Sequence, residues 1–81
     1  MRRRLPQTAL GTELRRSMAC NVRSLREQKG MTQADLADAS GLARTFVNKL
    51  ERGHVSVALE TIGALANALE IPPRKLLEPA D

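Results

Sequence analysis

Arg44, Thr45, Asn48 and Lys49 lie close together in the chain and have the types to read a pattern of hydrogen-bond donors and acceptors. Val47 and Leu50 are the apolar positions of the same stretch, so a helix that buries them turns the four polar residues outward. Lys49 follows Thr45 by one helical turn and falls on the same face. The two prongs of an Arg44 guanidinium match the O6 and N7 acceptors of guanine. Lys49 can reach the same acceptors, and Thr45 offers a hydroxyl bond or a methyl contact to thymine. Any exposed helix carries polar residues, so the framework that presents these four decides their meaning.

Other chemistries are poorly supplied. Cys20 is the only cysteine and His54 the only histidine, and neither has a neighbour at metal-ligand spacing. The chain shows no Ser-His-Asp or Cys-His pairing and no phosphate loop, so neither catalysis, a metal nor another cofactor is expected. A lone thiol suits a reducing cytosol. Residues 1–29 hold eight basic and two acidic side chains, residues 30–55 three of each, and residues 56–81 two basic and four acidic. A basic end on an otherwise balanced domain fits a polyanion met from one side. Phe46 is the only aromatic residue, which leaves no stacking platform for single-stranded bases and favours a duplex.

With 81 residues the chain reads as one domain with a small core. Residues 1–11 read as a flexible basic arm and residues 12–81 as the folded domain. Thr12 can cap a first helix in which Leu14, Met18, Val22 and Leu25 form one apolar face, ending near Lys29 before Gly30. Thr32 caps a second helix, with Asp35 at the reciprocal capping-box distance, and Gly41 ends it. A third helix covers about Ala43 to Arg52. A fourth runs from about Ala58 to Glu70, with Leu59, Ile62, Leu65, Ala66 and Leu69 inward. A last short one, PRKLLE, opens near Pro72. No stretch alternates as a strand would. The fold class is all-α, built from five short helices.

The second and third helices are separated by a turn containing Gly41, so they must cross steeply and need a small residue where they touch. Ala37, four residues before Gly41, is that residue, and Val47 follows six residues after it. Small residue, glycine turn and β-branched core residue at these offsets form a helix-turn-helix signature. From about Asn21 to Leu77 the chain resembles the Cro and phage-repressor type of helix-turn-helix regulator. The likeness is carried by LREQKGMTQADLADASGL, ARTFVNKLERG and LETIGALANALEIPPRKLL. Two positions depart from that pattern: Ser40 stands where an apolar residue is usual, and Ala58 where Ser or Thr normally caps the fourth helix.

The resemblance implies a lambda-repressor-like domain whose third helix enters the major groove while the second crosses the backbone. Arg44, Thr45, Asn48 and Lys49 then become base readers. Gln33, Arg52, His54 and Ser56 become candidates for phosphate contacts, which set register without reading sequence. Arg2, Arg3 and Arg4 are candidates for an arm that follows the duplex. The expected partners are a double-stranded operator and a second copy of the chain, since one small domain reads few base pairs. Ile71, Leu76 and Leu77 are the candidate interface. No small-molecule ligand and no membrane are expected, and the setting is cytoplasmic, bacterial or phage. The competing function is an antitoxin-like protein-interaction module with secondary DNA binding. The outward Arg44 and Lys49 favour DNA.

Arg26 and Glu51 complete the reading. Each follows a core residue (Leu25 and Leu50) and lies four after another (Val22 and Val47), so each charge is drawn toward the interior and needs a partner. In the family that the chain resembles, the matching arginine and glutamate bond to each other. An Arg26–Glu51 salt bridge between the first helix and the third is therefore expected.

Overall fold

A computed structural model describes residues 6–80. Five helices follow one another: α1 (Ala9–Gln28), α2 (Gln33–Ser40), α3 (Arg44–Glu51), α4 (Leu59–Leu69) and α5 (Arg74–Leu77). No strand occurs among the described residues. Helix α1 is the long central element, packed against α3 and α5, while α2 packs against both α3 and α4. Met18, Val22, Leu36, Ala37, Val47, Leu50, Leu65, Ala66, Leu69 and Leu76 close into one core.

The first helix begins about one turn before the expected Thr12 cap. Thr8 is the N-cap, its hydroxyl accepting from the Gly11 N–H at 2.9 Å. Thr12 is already inside the helix and donates its own N–H to the Thr8 carbonyl. Two threonines four apart offered alternative caps, and Ala9 and Leu10, both good helix formers, let the earlier one take the role. The helix therefore reaches into the stretch read as an arm.

The turn between α2 and α3 rests on Gly41, which adopts φ of +78° and donates its N–H to the Ala37 carbonyl at 2.9 Å. A side chain is strained in that left-handed region, so glycine is the residue that turns the chain there. Ser40 has its own use in the same turn. Its hydroxyl donates to the Leu36 carbonyl at 2.7 Å and accepts from the Leu42 N–H at 3.3 Å. A polar side chain thus closes the turn where an apolar one would only pack. At the start of α2, Thr32 and Asp35 form the reciprocal capping box, with hydrogen bonds of 3.0 and 2.9 Å. Ala58 precedes α4 without a side-chain cap.

Two expectations about apolar residues are corrected. Leu59 does not face the core: it is 83% exposed, because it opens α4 ahead of the packed row of Ile62, Leu65, Ala66 and Leu69. Leu14, expected on the inner face of α1, stays 42% exposed beyond the end of the cluster that begins with Met18. The short α5 starts at Arg74, with Pro73 rather than Pro72 beside its first turn. Asn21 on α1 anchors it, donating to the carbonyls of Leu76 at 3.0 Å and Glu78 at 2.8 Å.

Candidate nucleic-acid interface

Helix α3 is held on its inner side by Val47 and Leu50, which are fully or almost fully buried. With two inner positions pinned, the 3.6-residue period leaves Arg44, Thr45, Asn48 and Lys49 exposed on the outer side. These four, together with Gln33 from α2 and Arg52 after α3, line a single shallow, open depression. Elements separated in sequence by the Gly41 turn thus contribute to one surface. Three cationic side chains, Arg44, Lys49 and Arg52, border it with no acidic side chain among its lining residues. That surface suits a polyanion.

On its inner side α3 is also tied to α1 through Arg26 and Glu51. Arg26 Nε donates to Glu51 Oε2 at 2.6 Å and Nη2 to Glu51 Oε1 at 2.9 Å. Their side chains are 11% and 4% exposed. Arg26 Nη1 donates to the Met31 carbonyl at 2.7 Å, so the same guanidinium also ties the α1–α2 loop. The hydrogen bond to Glu51 raises the Arg26 pKa above its ordinary value, and burial only partly opposes it. The pair joins α1 to α3.

Gln33 is more tightly held than its sequence position suggested. Its Nε2 donates to Glu51 Oε1 at 3.1 Å, and its Oε1 accepts from Asn48 Nδ2 at 3.3 Å. Sequence reasoning missed this link. The available signal was Glu51 itself, since a buried carboxylate has more lone pairs than one arginine satisfies. His54 and Ser56 are exposed but do not line the depression, and Ser56 instead borders an apolar groove between α1 and the loop that leads to α4. Arg2, Arg3 and Arg4 lie outside the described residues. No group of three potential metal ligands occurs among the described residues, and none of their helices is long and apolar enough to cross a membrane.

Leu76 corrects the interface expectation. It is fully buried in the monomer, closing the core between α1 and α5, and so presents nothing to a second chain. Its neighbour Leu77 is 40% exposed, and Ile71 is half-buried against the core. In a one-turn helix adjacent residues point apart, so Leu76 turns inward while Leu77 stays partly exposed, and Asn21 ties the Leu76 and Glu78 carbonyls to α1.

Two helices joined by a glycine turn, with an outward polar face and a buried ion pair behind it, fit a known family, whose helix-turn-helix profile matches residues 22–76. The chain belongs to the helix-turn-helix family. Among its helix-turn-helix relatives, control protein C.SmaI of Serratia marcescens is 40% identical over 80% of this chain and 77% of that protein. A hypothetical transcription factor of Neisseria meningitidis is also 40% identical, over 83% of this chain, which spans only 63% of that protein's length. Of solved structures, the restriction-modification controller protein C.AhdI from Aeromonas hydrophila superposes with a TM-score of 0.74 at 44% identity. That match covers 76% of this chain and 94% of that one. The protein is a DNA-binding regulator of the helix-turn-helix type.

Proposed function

We propose that the protein is a sequence-specific regulator, of repressor or controller type, that grips a pseudo-palindromic operator through the major groove as a homodimer. One observation carries this reading: Arg44, Thr45, Asn48 and Lys49 share the exposed face of α3, set in a depression bordered by Arg52 and Gln33. Arg44 opens the helix, where a recognition helix meets base edges. Lys49 extends the contact by one turn, and Arg52 grips the backbone. Relatives named as control proteins support the controller role. A DNA operator would place the site of action in the bacterial cytoplasm.

A single domain of this size contacts too few base pairs to stand out against a genome of competing sites, whereas a two-fold dimer doubles the site. With Leu76 committed to the core, the interface is assigned to Leu77 and Ile71 in the C-terminal region, with the end of α4. Selection of bound duplexes from a random pool tests the reading. The enriched sequence should be an imperfect inverted repeat whose half-sites are about one helical turn apart, roughly 34–36 Å centre to centre. Sedimentation should then find two chains per duplex. A pool without enrichment, or one chain per bound duplex, would end it.

A further inference from the structure

Glu51 has more hydrogen-bond capacity than its ion pair uses. Oε1 accepts from Arg26 Nη2 at 2.9 Å and also from Gln33 Nε2 at 3.1 Å. A carboxylate offers only lone pairs, so the Gln33 amide has to turn its NH2 group toward it. Gln33 Oε1 is then directed at Asn48, whose Nδ2 donates to it at 3.3 Å. Were the Asn48 amide reversed, its Oδ1 would face another acceptor. The carboxylate therefore dictates the orientation of two successive amides, the second of which stands on the exposed face of α3. Among the described residues, Asn48 is the one member of the outward quartet whose side chain is hydrogen-bonded within the protein.

The unspent groups of Asn48 follow from this. One N–H is engaged by Gln33, which leaves the other N–H and Oδ1 free on the same planar amide. An acceptor beside a donor in one plane matches the N6 donor and N7 acceptor that adenine shows in the major groove, the pairing to which asparagine is suited. A single 3.3 Å bond at an exposed position adds little stability. Its contribution is to select one of two amide orientations before any duplex arrives.

We propose that Glu51, acting through Gln33, is a positioning residue for sequence readout: it orients the Asn48 amide so that Asn48 selects adenine. The proposal rests on the reading that this face of α3 enters the major groove. It gives the buried Arg26–Glu51 pair a second role, since the carboxylate that braces the reading helix also sets the polarity of one of its side chains.

The test titrates operator duplexes carrying each of the four bases at the position covered by Asn48. Asn48→Ala, Gln33→Met and Arg44→Ala are compared with the unchanged protein. Gln33→Met keeps the side-chain length, removes both hydrogen bonds and leaves the ion pair in place. The unchanged protein should prefer adenine there by on the order of 5- to 150-fold. Asn48→Ala should abolish that preference and Gln33→Met should reduce it toward the same level, whereas Arg44→Ala should alter a different base pair. The double variant Arg26→Met/Glu51→Met replaces the ion pair with apolar side chains, a change that folded proteins often accept. It should lose the adenine preference as Gln33→Met does. Nuclear magnetic resonance of the free protein adds a readout that needs no duplex: the Asn48 side-chain NH2 protons should shift toward random-coil positions in Gln33→Met.

Equal weakening on all four bases in Gln33→Met, with the adenine preference kept, overturns the proposal and leaves Gln33 a phosphate contact. Retained preference in the double variant removes Glu51 from the chain, and unchanged Asn48 amide resonances in Gln33→Met are equally fatal. If Asn48→Ala changes no base preference while Arg44→Ala still does, the proposal falls and the operator reading stands. Loss of both signals removes both.

Discussion

Arg26 holds Glu51 with two hydrogen bonds, from Nε to Oε2 at 2.6 Å and from Nη2 to Oε1 at 2.9 Å, and spends its remaining nitrogen on the Met31 carbonyl. Among the described residues the two bonds to Glu51 are the hydrogen bonds that join α1 to α3, and their fixed geometry restricts rotation of α3 in a way that interchangeable apolar contacts do not. Taking both charges out of water costs nearly as much as their attraction returns, so the pair adds little over an apolar one. Its asymmetry is the consequence that matters. Removing one partner strands the other.

Arg26→Ala and Glu51→Ala are therefore each expected to destabilise the fold by about 3–5 kcal/mol, with the double variant costing clearly less than the sum. Thermal melts of the three variants measure the coupling energy. Strictly additive losses would show that the two charges act independently.

Arg44 and Arg52 border one depression but are expected to differ in what they recognise. Arg44→Ala should cost ~1–3 kcal/mol on the preferred operator and relax the preference at one base pair. Arg52→Ala should weaken operator and random duplexes alike and reduce the salt slope by about one. Fluorescence titrations at several salt concentrations separate the two. Equal losses on specific and random duplexes for Arg44→Ala would remove it from base reading.

Leu76 and Leu77 are adjacent, yet one is fully buried and the other 40% exposed. Leu76→Ala should cost about 2–5 kcal/mol of monomer stability through the cavity left behind. Leu77→Ala should scarcely change unfolding of the monomer but should shift sedimentation toward single chains. A Leu77 variant that dimerises normally would move the interface elsewhere.

The pH response of α2 follows from its cap. The Asp35 carboxylate accepts from the backbone N–H of Thr32, and this bond, with a smaller contribution from the Thr32 hydroxyl, holds its pKa below the ordinary aspartate range. A depressed folded value means stability that is present above the unfolded pKa of about 3.9 and lost as pH falls through the lower folded value. Amide protection factors in the first turn of α2, which are corrected for the intrinsic slowing of exchange in acid, should thus fall as the pH drops through that value. In Asp35→Ala the same amides should exchange faster at neutral pH and lose that acid dependence.

What the sequence alone determined is what short-range geometry decides. Thr32 and Asp35 cap α2 because the capping box closes within four residues. Gly41 turns the chain because its left-handed φ is a property of one residue. Val47 and Leu50 turn Arg44, Thr45, Asn48 and Lys49 outward through the period of a single helix. The placement of Arg26 and Glu51 was legible because a charge four residues from a core position is hard to leave in water. The resemblance supplied their pairing.

Only the tertiary structure decided the questions in which two local solutions were equally good. Thr8 and Thr12 both satisfy the rules for a cap. Leu76 and Leu77 are chemically identical neighbours, and which one is buried depends on how α5 docks on α1, where Asn21 holds its backbone. Leu59 keeps the helical spacing of its inward neighbours yet has nothing opposite it to pack against. Gln33 was legible as a polar residue at a helix start, but its link to Glu51 and Asn48 joins three side chains from two helices. Spacing along a chain specifies which way a side chain points from its own helix. What waits at the end of it depends on how the helices cross, because burial and hydrogen bonding are properties of the pair.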